Sequence, residues 1–467
     1  MTTMSRHSQG ISIPKQWCNF LFDYPQYAVH DVPKEVSLPS NGARKVSIVP
    51  QQPLSLVTQS NSTREPYHEI PERLLELYAQ YRPTPLRRAR QLEQRLGVNA
   101  RLYYKYEGLN VSGSHKLNSA IAQAYYYAKA GVEELVTGTG AGQWGTALAY
   151  ACKLFGLRCT VFMVGASLRQ KPQRRAMMEL FGATVHESPS DVTDVGRKAL
   201  QRDPGRIGSL ATATGEALEI AHGGKRIRFA VGSGENCVLL HQTLIGSEAI
   251  EQLGALGEFP EYVVACMGAG SNFGGVGLPF LRAARERQRQ LRLVAVEPAA
   301  CPKLTRGVYA YDINDFSGTT PIHRMYTLGS HYIAPPIFAG GLRYHGTSSF
   351  LSAMYADKGF DALAVPQPDA LGAGLLFAES EGILPAPESA HAVAGAIRLA
   401  RENPADAPPR VILMNISGHG FFDLSAYERA RTNTLESDIP DDAMLTESLR
   451  HVHEFNARIE QSSSRES

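Results

Sequence analysis

The sequence predicts an α/β protein made of two doubly wound, open-sheet domains. Short apolar segments that read as strands alternate with helical segments of roughly 10–15 residues, a pattern typical of parallel βαβ units. Glycine-rich turns separate a strand from a helix at 138–145 and at 268–275. The chain has 467 residues, of which 43% are hydrophobic, so it is long enough for two or three packed units.

Four segments follow from this pattern. Residues 1–80 form an N-terminal extension whose aromatic residues indicate packing on the body or on a second subunit. Residues 81–260 and 261–430 form the two α/β domains. Residues 431–467 form a polar tail that we expect to fray, since chain termini are often poorly ordered.

The individual elements are predicted from the period of apolar residues. The predicted helices are 71–80, 89–96, one that begins near Lys116, 146–155, 170–181, 238–253 and 278–287. The predicted strands are 101–106, 134–137, 159–164, 184–186, 262–267, 291–297 and 410–415. The stretch 187–235 is predicted to be less regular, and the aromatic, glycine-rich stretch 305–348 is predicted to be irregular.

Charge and cysteine content exclude several classes of function. The formal net charge is +2, which gives no basic surface for nucleic acid. No apolar run is long enough to cross a membrane, and no signal peptide pattern opens the chain. The six cysteines have no metal-binding or disulfide spacing, so we expect them to be reduced in a cytoplasmic protein.

Lys116 is the leading catalytic candidate. The turn Ser112-Gly113-Ser114 runs directly into an apolar helical pattern, with Ser114 as the predicted N-cap. Lys116 then lies in the first turn of a helix, where the dipole disfavours a cation. A lysine whose charged form is disfavoured can act as an amine nucleophile and form a Schiff base. An isolated lysine is more often a solvated surface residue, but the two glycine-rich turns favour the functional interpretation.

Both glycine-rich turns are predicted anion sites, because backbone N–H groups and a helix N-terminus converge there. Tight packing of strand on helix is the alternative explanation for either turn. Gly140 to Gly145 also matches the dinucleotide fingerprint, but the next strand ends without the acidic residue that a ribose requires. Histidine spacing predicts no metal site, and a serine-hydrolase elbow is missing from the sequence.

Together these motifs resemble the tryptophan synthase beta chain family, within the fold-type II pyridoxal-phosphate enzymes. The likeness covers roughly residues 80–428 in the same order and is greatest for the stand-alone second branch. The motifs that carry it are 114–118, 139–143, 268–272, 341–345, 381–391 and 415–419. The resemblance implies that the cofactor lies in the cleft between a smaller, mobile first domain and a larger second domain.

The resemblance also implies roles for individual residues. Lys116 would hold pyridoxal phosphate and act as the catalytic base. The implied cofactor contacts are His115, Lys116, Asn118, Gly268, Ala269, Gly270, Ser271, Asn272, Glu388 and Ser417. The implied substrate contacts are Thr139, Gly140, Ala141, Gly142 and Gln143, with Arg343 as a further one. Arg343 stands where the better-known branch has an aspartate, and it suits either a phosphorylated serine or a salt bridge within its loop.

Gly138 is the departure from the family pattern that matters most. The family's loop begins Glu-Thr-Gly-Ala-Gly, and its glutamate is regarded as the acid–base group that assists indole. This chain has Gly138 at that position. The family's way of activating the nucleophile therefore does not transfer, and we expect the missing side chain to leave space for a bulkier nucleophile.

These considerations predict a β-replacement enzyme. A serine or O-phosphoserine substrate would pass through an aminoacrylate, which reacts with a nucleophile other than, or in addition to, indole. Two alternatives stay open: a lyase that releases a keto acid and ammonia, and a catalytically inactive binding relative. The predicted partners are an amino acid and an unidentified nucleophile, in a homodimer without an alpha subunit. A monovalent cation is a further cofactor that the family suggests.

Overall fold

The fold is described here from a computed structural model, which covers residues 12–28, 52–315, 318, 320–436 and 439–463. Strands are distributed along the whole of this described chain. They are β1 Gln16–Cys18, β2 Tyr67–Glu69, β3 Leu86–Arg88, β4 Ala100–Tyr106, β5 Glu134–Thr139, β6 Arg158–Val164, β7 Thr184–Ser188, β8 Ile227–Phe229, β9 Tyr262–Cys266, β10 Arg292–Pro298, β11 Val308–Ile313, β12 Ile322–Thr327, β13 Asp361–Val365 and β14 Arg410–Ile416.

The helices alternate with these strands. They are α1 Phe20–Asp23, α2 Leu54–Asn61, α3 Glu72–Tyr78, α4 Arg90–Leu96, α5 Lys116–Lys129, α6 Gln143–Leu154, α7 Gly165–Gln170, α8 Pro172–Leu180, α9 Asp194–Arg202, α10 Leu210–His222, α11 Asn236–Ala255, α12 Ser271–Glu286, α13 Ser349–Ala356, α14 Gln367–Glu381, α15 Pro387–Arg401, α16 Leu424–Arg431 and α17 Asp442–Ser463. Short 3₁₀ turns lie at Pro25–Tyr27 and Gly340–Leu342.

The larger sheet has the strand order β13-β10-β9-β14-β4-β3. Its strands are parallel except for β3, which pairs antiparallel with β4 at one edge. Strands β3 and β4 come from the first half of the chain, so residues 81–260 contribute strands to both sheets. Because β4 lies beside β14, the turn before Lys116 emerges next to the turn that follows β14.

The smaller sheet is fully parallel, with the order β7-β6-β5-β8. Helix α10 covers one face of it, where Ala213 and Ala217 pack against Val136 and Phe162. The alternate residues of β5 and β6, such as Leu135, belong to the main core on the other face. The stretch 187–235, predicted to be less regular, contains α9, α10 and β8, while 305–348, predicted to be irregular, contains the strands β11 and β12.

The C-terminal tail contains a docked helix, so the expectation that it frays was wrong. Leu445, Val452 and Ile459 recur along one face of α17 and are buried. Ile459 packs with Ile313 and Ile322 of the antiparallel hairpin β11–β12. The Nδ2 of Asn456 donates 2.8 Å to the carbonyl of Tyr311, which ties α17 to the hairpin.

The described part of the N-terminal extension packs on the body. Trp17 is fully buried, and the centre of its ring lies 4.7 Å from that of His241 in α11. Asp23 forms an ion pair of 2.6 Å with Arg282 in α12. Among the residues that the structure describes, none of the helices is both long and apolar enough to cross a membrane.

Candidate active site

Three turns that precede helices come together around a pair of cavities. They follow strands β4, β5 and β9 and lead into α5, α6 and α12. In open parallel sheets, the carboxyl ends of the strands are where ligand sites form. The two cavities adjoin each other there, and the side chain of Lys116 lines both.

Lys116 is the first residue of α5. Its Nζ donates to the carbonyl of Gly232 at 2.5 Å and to Oγ of Ser271 at 2.8 Å. Burial lowers the pKa of the Lys116 amine to about 8, although the charge of Glu388 acts in the opposite direction. The predicted N-cap was wrong: His115 is the cap residue, and no side chain caps the helix.

The smaller cavity is bounded by the turn before α12. That helix begins at Ser271, seven residues earlier than the sequence predicted, because Gly270 has φ +124 and starts the helix directly after β9. A Cβ on Gly268 would lie 2.7 Å from the carbonyl of Gly341, so the backbones approach closely there. The first-turn amides of α12 thus face a site that suits a phosphate.

Neutral polar groups surround the smaller cavity. The hydroxyls of Ser417 and Ser389 lie 2.9 Å apart. Nε2 of His115 lies 3.2 Å from Oγ of Ser271. Burial, together with the nearby charge of Lys116, holds the pKa of His115 well below its usual range, so its imidazole is neutral. Asn272 donates from Nδ2 to the carbonyl of Cys266 at 3.0 Å.

Glu388 is the carboxylate of the smaller cavity. Its Oε1 accepts a hydrogen bond of 2.8 Å from the amide of Gly341. Burial by itself would raise the pKa of Glu388, but the charge of Lys171 and hydrogen bonds from Gly341 and Gln143 hold that pKa below its ordinary value. Its Oε2 is buried without a hydrogen-bond partner among the described residues, and it is therefore open to a ligand group.

The larger cavity is bounded by the turn before α6. Thr139, Gly140, Ala141 and Gln143 line it. Gly142 has φ +91, in the left-handed region that favours glycine, and α6 begins immediately after it at Gln143. This geometry directs the first amides of a helix into the cavity, which suits a carboxylate.

Comparison with known proteins identifies the family. A family profile described as "Pyridoxal-phosphate dependent enzyme" matches residues 77–418. Tryptophan synthase beta chain 2 of Thermotoga maritima is 50% identical over 415 residues, which are 89% of this chain and 97% of that protein. The chain belongs to the tryptophan synthase beta chain family of pyridoxal-phosphate-dependent enzymes. Tryptophan synthase beta chain 2 of Thermococcus kodakarensis is 47% identical over 430 residues, 92% of this chain and 96% of that protein.

Solved structures agree with the predicted fold class. A threonine deaminase matches with a TM-score of 0.57 at 21% identity and covers 74% of this chain and 96% of its own. An O-ureido-L-serine synthase matches with a TM-score of 0.55 at 20% identity and covers 78% of this chain and 95% of its own. At these identities the likeness concerns the fold alone, and it confirms the two-sheet, fold-type II architecture.

Three residues to which the family resemblance assigns a contact, Asn118, Gly142 and Arg343, line neither cavity. Asn118 is buried behind Lys116, where its Oδ1 accepts 2.8 Å from Arg82. Arg343 is also buried, and its Nη2 donates 2.7 Å to the carbonyl of Ala334. Of the two roles suggested for Arg343, binding a phosphorylated serine or pairing within its loop, the structure shows a contact within the loop. The partner is a backbone carbonyl rather than a carboxylate.

Gly138, which the resemblance places at the family's glutamate position, does line the larger cavity. The expectation that its missing side chain leaves space was wrong. A Cβ on Gly138 would lie 2.8 Å from the carbonyl carbon of Ala213 and 2.8 Å from the amide nitrogen of Thr214. The backbone of α10 fills the position, so a side chain at residue 138 requires α10 to move.

We therefore expect Gly138→Ala to lower the free energy of unfolding by about 1–3 kcal/mol, the usual effect of overpacking a core. Denaturant unfolding of the cofactor-free protein measures this. Gly372→Ala is the matched control, because nothing lies within 4 Å of a Cβ on this exposed helical glycine. The control should be neutral or stabilising by up to about 1 kcal/mol. Equal stability of the two variants would contradict the close approach of α10.

One turn of the site, Gly232-Ser233-Gly234-Glu235, is not among the residues predicted from the sequence. Ser233 lines both cavities, and its hydroxyl donates to Oγ of Ser271 at 3.2 Å. The signal was present as a third glycine- and serine-rich turn before a helix, but it lay in a stretch that was predicted to be less regular. No cluster of three or more potential metal-binding side chains occurs among the described residues of this family member.

Proposed function

We propose that this member of the family catalyses β-replacement on serine or O-phosphoserine, with a nucleophile other than, or in addition to, indole. The observation that carries the proposal is the position of the Lys116 amine. It lies where a small cavity that suits a phosphorylated ring adjoins a larger cavity. Its pKa of about 8 makes a neutral amine available near physiological pH.

The residues of the smaller cavity fit pyridoxal phosphate. Ser271 and the first turn of α12 would hold the phosphate, with neutral His115 beside it. Ser417 would face the pyridine nitrogen, and the unpartnered Oε2 of Glu388 lies in the same cavity. Bound there, the cofactor supplies an electron sink for the α-carbon of an amino acid. A neutral hydroxyl at Ser417 does not enforce a protonated pyridine, which favours β-chemistry over transamination.

Around the α-carbon, this chain's own groups would bind and move protons. The amides of residues 139–143 would orient the substrate carboxylate at the start of α6. The Lys116 amine would remove the α-proton as general base and return it later. Ser271 and the carbonyl of Gly232 hold that amine by two hydrogen bonds.

The titration of Lys116 gives a pH prediction. Its pKa is lowered from 10.5 to about 8, so about half of the side chains are neutral at pH 8. The rate at which cofactor-free protein takes up pyridoxal phosphate should rise with pH and level off above about 8. Stopped-flow absorbance measures this rate. Lys129→Met, at the exposed end of the same helix, should leave the profile unchanged. A rate that keeps rising up to pH 10 would indicate that the pKa of Lys116 is not lowered.

The proposal is tested with the cofactor-loaded protein and L-serine or O-phospho-L-serine. We expect an absorbance change with the donor alone. When a competent nucleophile is added, the donor should be converted to a coupled amino acid with little pyruvate. Rapid pyruvate release that added nucleophiles do not suppress would indicate a lyase instead. A protein that binds the cofactor but leaves both donors unchanged would be a binding relative.

Indole, aromatic amines and thiols should be compared as nucleophiles in this assay. Serine is the first donor to try, because Arg343 donates to a loop carbonyl and lies outside the cavity lining. The homodimer, the independence from an alpha subunit and the monovalent cation stay predictions from the family.

A further inference from the structure

Apolar and polar side chains both line the larger cavity. The apolar ones are Leu210, Phe229, Val231 and Met325. The polar ones, together called the polar wall, include Glu235, Asn236, His323, Tyr344, Thr347 and Ser348. Among the described residues that line this cavity, Glu235 has the one carboxylate. It comes from the start of α11, far in sequence from Gly138.

Glu235 belongs to the turn that also contacts Lys116. The carbonyl of Gly232 accepts the hydrogen bond from Lys116 Nζ at 2.5 Å, and Glu235 follows three residues later as the N-cap of α11. Three residues span at most about 11 Å of chain. Glu235 is therefore close in the chain to the carbonyl that binds the Lys116 amine, and both residues line the same cavity.

Glu235 lies at a position that favours a carboxylate. It lies at the N-terminus of a 20-residue helix, whose dipole stabilises a carboxylate. Burial lowers the pKa of His323 to about 4, so that imidazole is neutral. Burial, followed by the charges of Asp312 and Glu235, raises the pKa of Tyr344 well above its ordinary value, so the phenol stays protonated.

Polar atoms on this wall also lack partners. The Nδ2 of Asn236 and the hydroxyls of Thr347 and Ser348 are buried without a hydrogen bond to any described residue. A buried polar group that forms no hydrogen bond is costly, which is why such groups are usually satisfied. Their position in the cavity lining points to polar atoms of a bound molecule.

We propose that Glu235 is the catalytic base for the incoming nucleophile, and that this nucleophile bears an N–H group on an apolar body. The inference rests on the proposed β-replacement and assigns the residue that would act on its second substrate. A nitrogen bearing hydrogen can donate to the carboxylate, while its apolar body contacts the apolar side chains of the cavity. A fixed negative charge disfavours a thiolate or another anion at the same place.

The step balances without an oxidant or reductant. The nucleophile forms a bond to the β-carbon from which the leaving group has departed. The electron pair of the α,β double bond moves onto the α-carbon. The proton of the nucleophile's N–H group passes to the Glu235 carboxylate and then to water. Lys116 returns to the α-carbon the proton that it removed earlier.

Glu235→Gln tests the proposal in the cofactor-loaded enzyme. Indoline serves as the N–H probe and benzyl mercaptan as the thiol probe. The absorbance change with serine alone and the melting temperature should stay as in the unsubstituted enzyme. Coupling of indoline should fall about 10²–10³-fold, as expected for loss of a general base. Coupling of the thiol should be unchanged or faster. Glu235→Asp should restore part of the indoline activity.

A binding measurement completes the test. Calorimetry without serine should show weaker indoline binding to Glu235→Gln, by about tenfold, because a charge-assisted hydrogen bond becomes a neutral one. Glu133→Gln, at a surface ion pair with Arg226, is the control and should change neither binding nor coupling. Unchanged coupling and binding in Glu235→Gln would overturn the proposal, as would indoline that neither binds nor reacts with the unsubstituted enzyme. If serine alone produces no absorbance change in the unsubstituted enzyme, the proposed function is wrong. The calorimetric comparison of indoline binding then still tests whether Glu235 contacts the N–H group.

Discussion

Replacing Lys116 by methionine is expected to reduce turnover of serine about a thousandfold or more. The side chain would be both the attachment point of the cofactor and the base at the α-carbon, and general acid–base catalysis alone contributes about 10²–10⁴-fold. Borohydride reduction followed by peptide mass spectrometry should find the cofactor on residue 116 of the unsubstituted protein and on none of the lysines of the variant.

The variant should still fold, because burial already disfavours the ammonium form of Lys116. Its melting temperature without cofactor should therefore be no lower than that of the unsubstituted protein. Lys129→Met, on the same helix but exposed, is the matched control and should keep full activity. Reduced cofactor trapped on another lysine would overturn the assignment of Lys116.

Replacing Arg82 by methionine is expected to lower the free energy of unfolding by about 3–5 kcal/mol, the usual cost of removing one partner of a buried ion pair. Arg82 Nε donates to Glu248 at 2.7 Å, and its Nη1 donates to Glu107 at 3.0 Å. All three side chains are fully buried. Lys105 would still pair with Glu248 at 2.8 Å, but the direct ion pair of Glu107 would be lost. Denaturant unfolding measures the loss.

A surface ion pair provides the control for Arg82. Arg398 and Glu402 are one helical turn apart, 3.2 Å from each other and exposed. Because solvent screens such a pair, Glu402→Gln should change the unfolding free energy by less than about 1 kcal/mol. The double variant Arg82→Met, Glu107→Gln should be less destabilised than the sum of the single changes, since neutralising Glu107 removes an unpaired charge. Simple additivity would argue against direct coupling of these side chains.

The buried ion pairs also explain what the sequence analysis missed about Asn118. Its Oδ1 accepts from Arg82, and its Nδ2 donates to Gln242 at 2.9 Å. The first turn of α5 is thereby tied to the segment before β3 and to α11. Asn118 thus has a position from which it orients the helix that carries Lys116. The sequence places Asn118 two residues after Lys116, but this spacing does not show whether Asn118 faces the cofactor site or the buried Arg82.

Helices α10 and α17 were not predicted from the sequence. Helix α10 begins Leu-Ala-Thr-Ala-Thr-Gly, which has weak helix propensity and a short apolar stripe. It forms because Ala213 and Ala217 are buried against the small sheet. Helix α17 has a polar sequence with only a narrow apolar face, which becomes visible once the β11–β12 hairpin provides its partner. In both cases tertiary packing outweighs local preference.

The sequence alone determined the α/β class, the family and the lysine with its glycine-rich turns, because each of these can be recognised from short stretches of contiguous residues. The tertiary structure decided which side chains reach the cavity. Lys116 meets Ser271 across 155 positions of sequence, and the backbone of Ala213 fills the space beside Gly138. Such contacts depend on how separate helices and strands pack, since packing sets the direction of each side chain. The same packing brings Glu235 to the wall of the larger cavity.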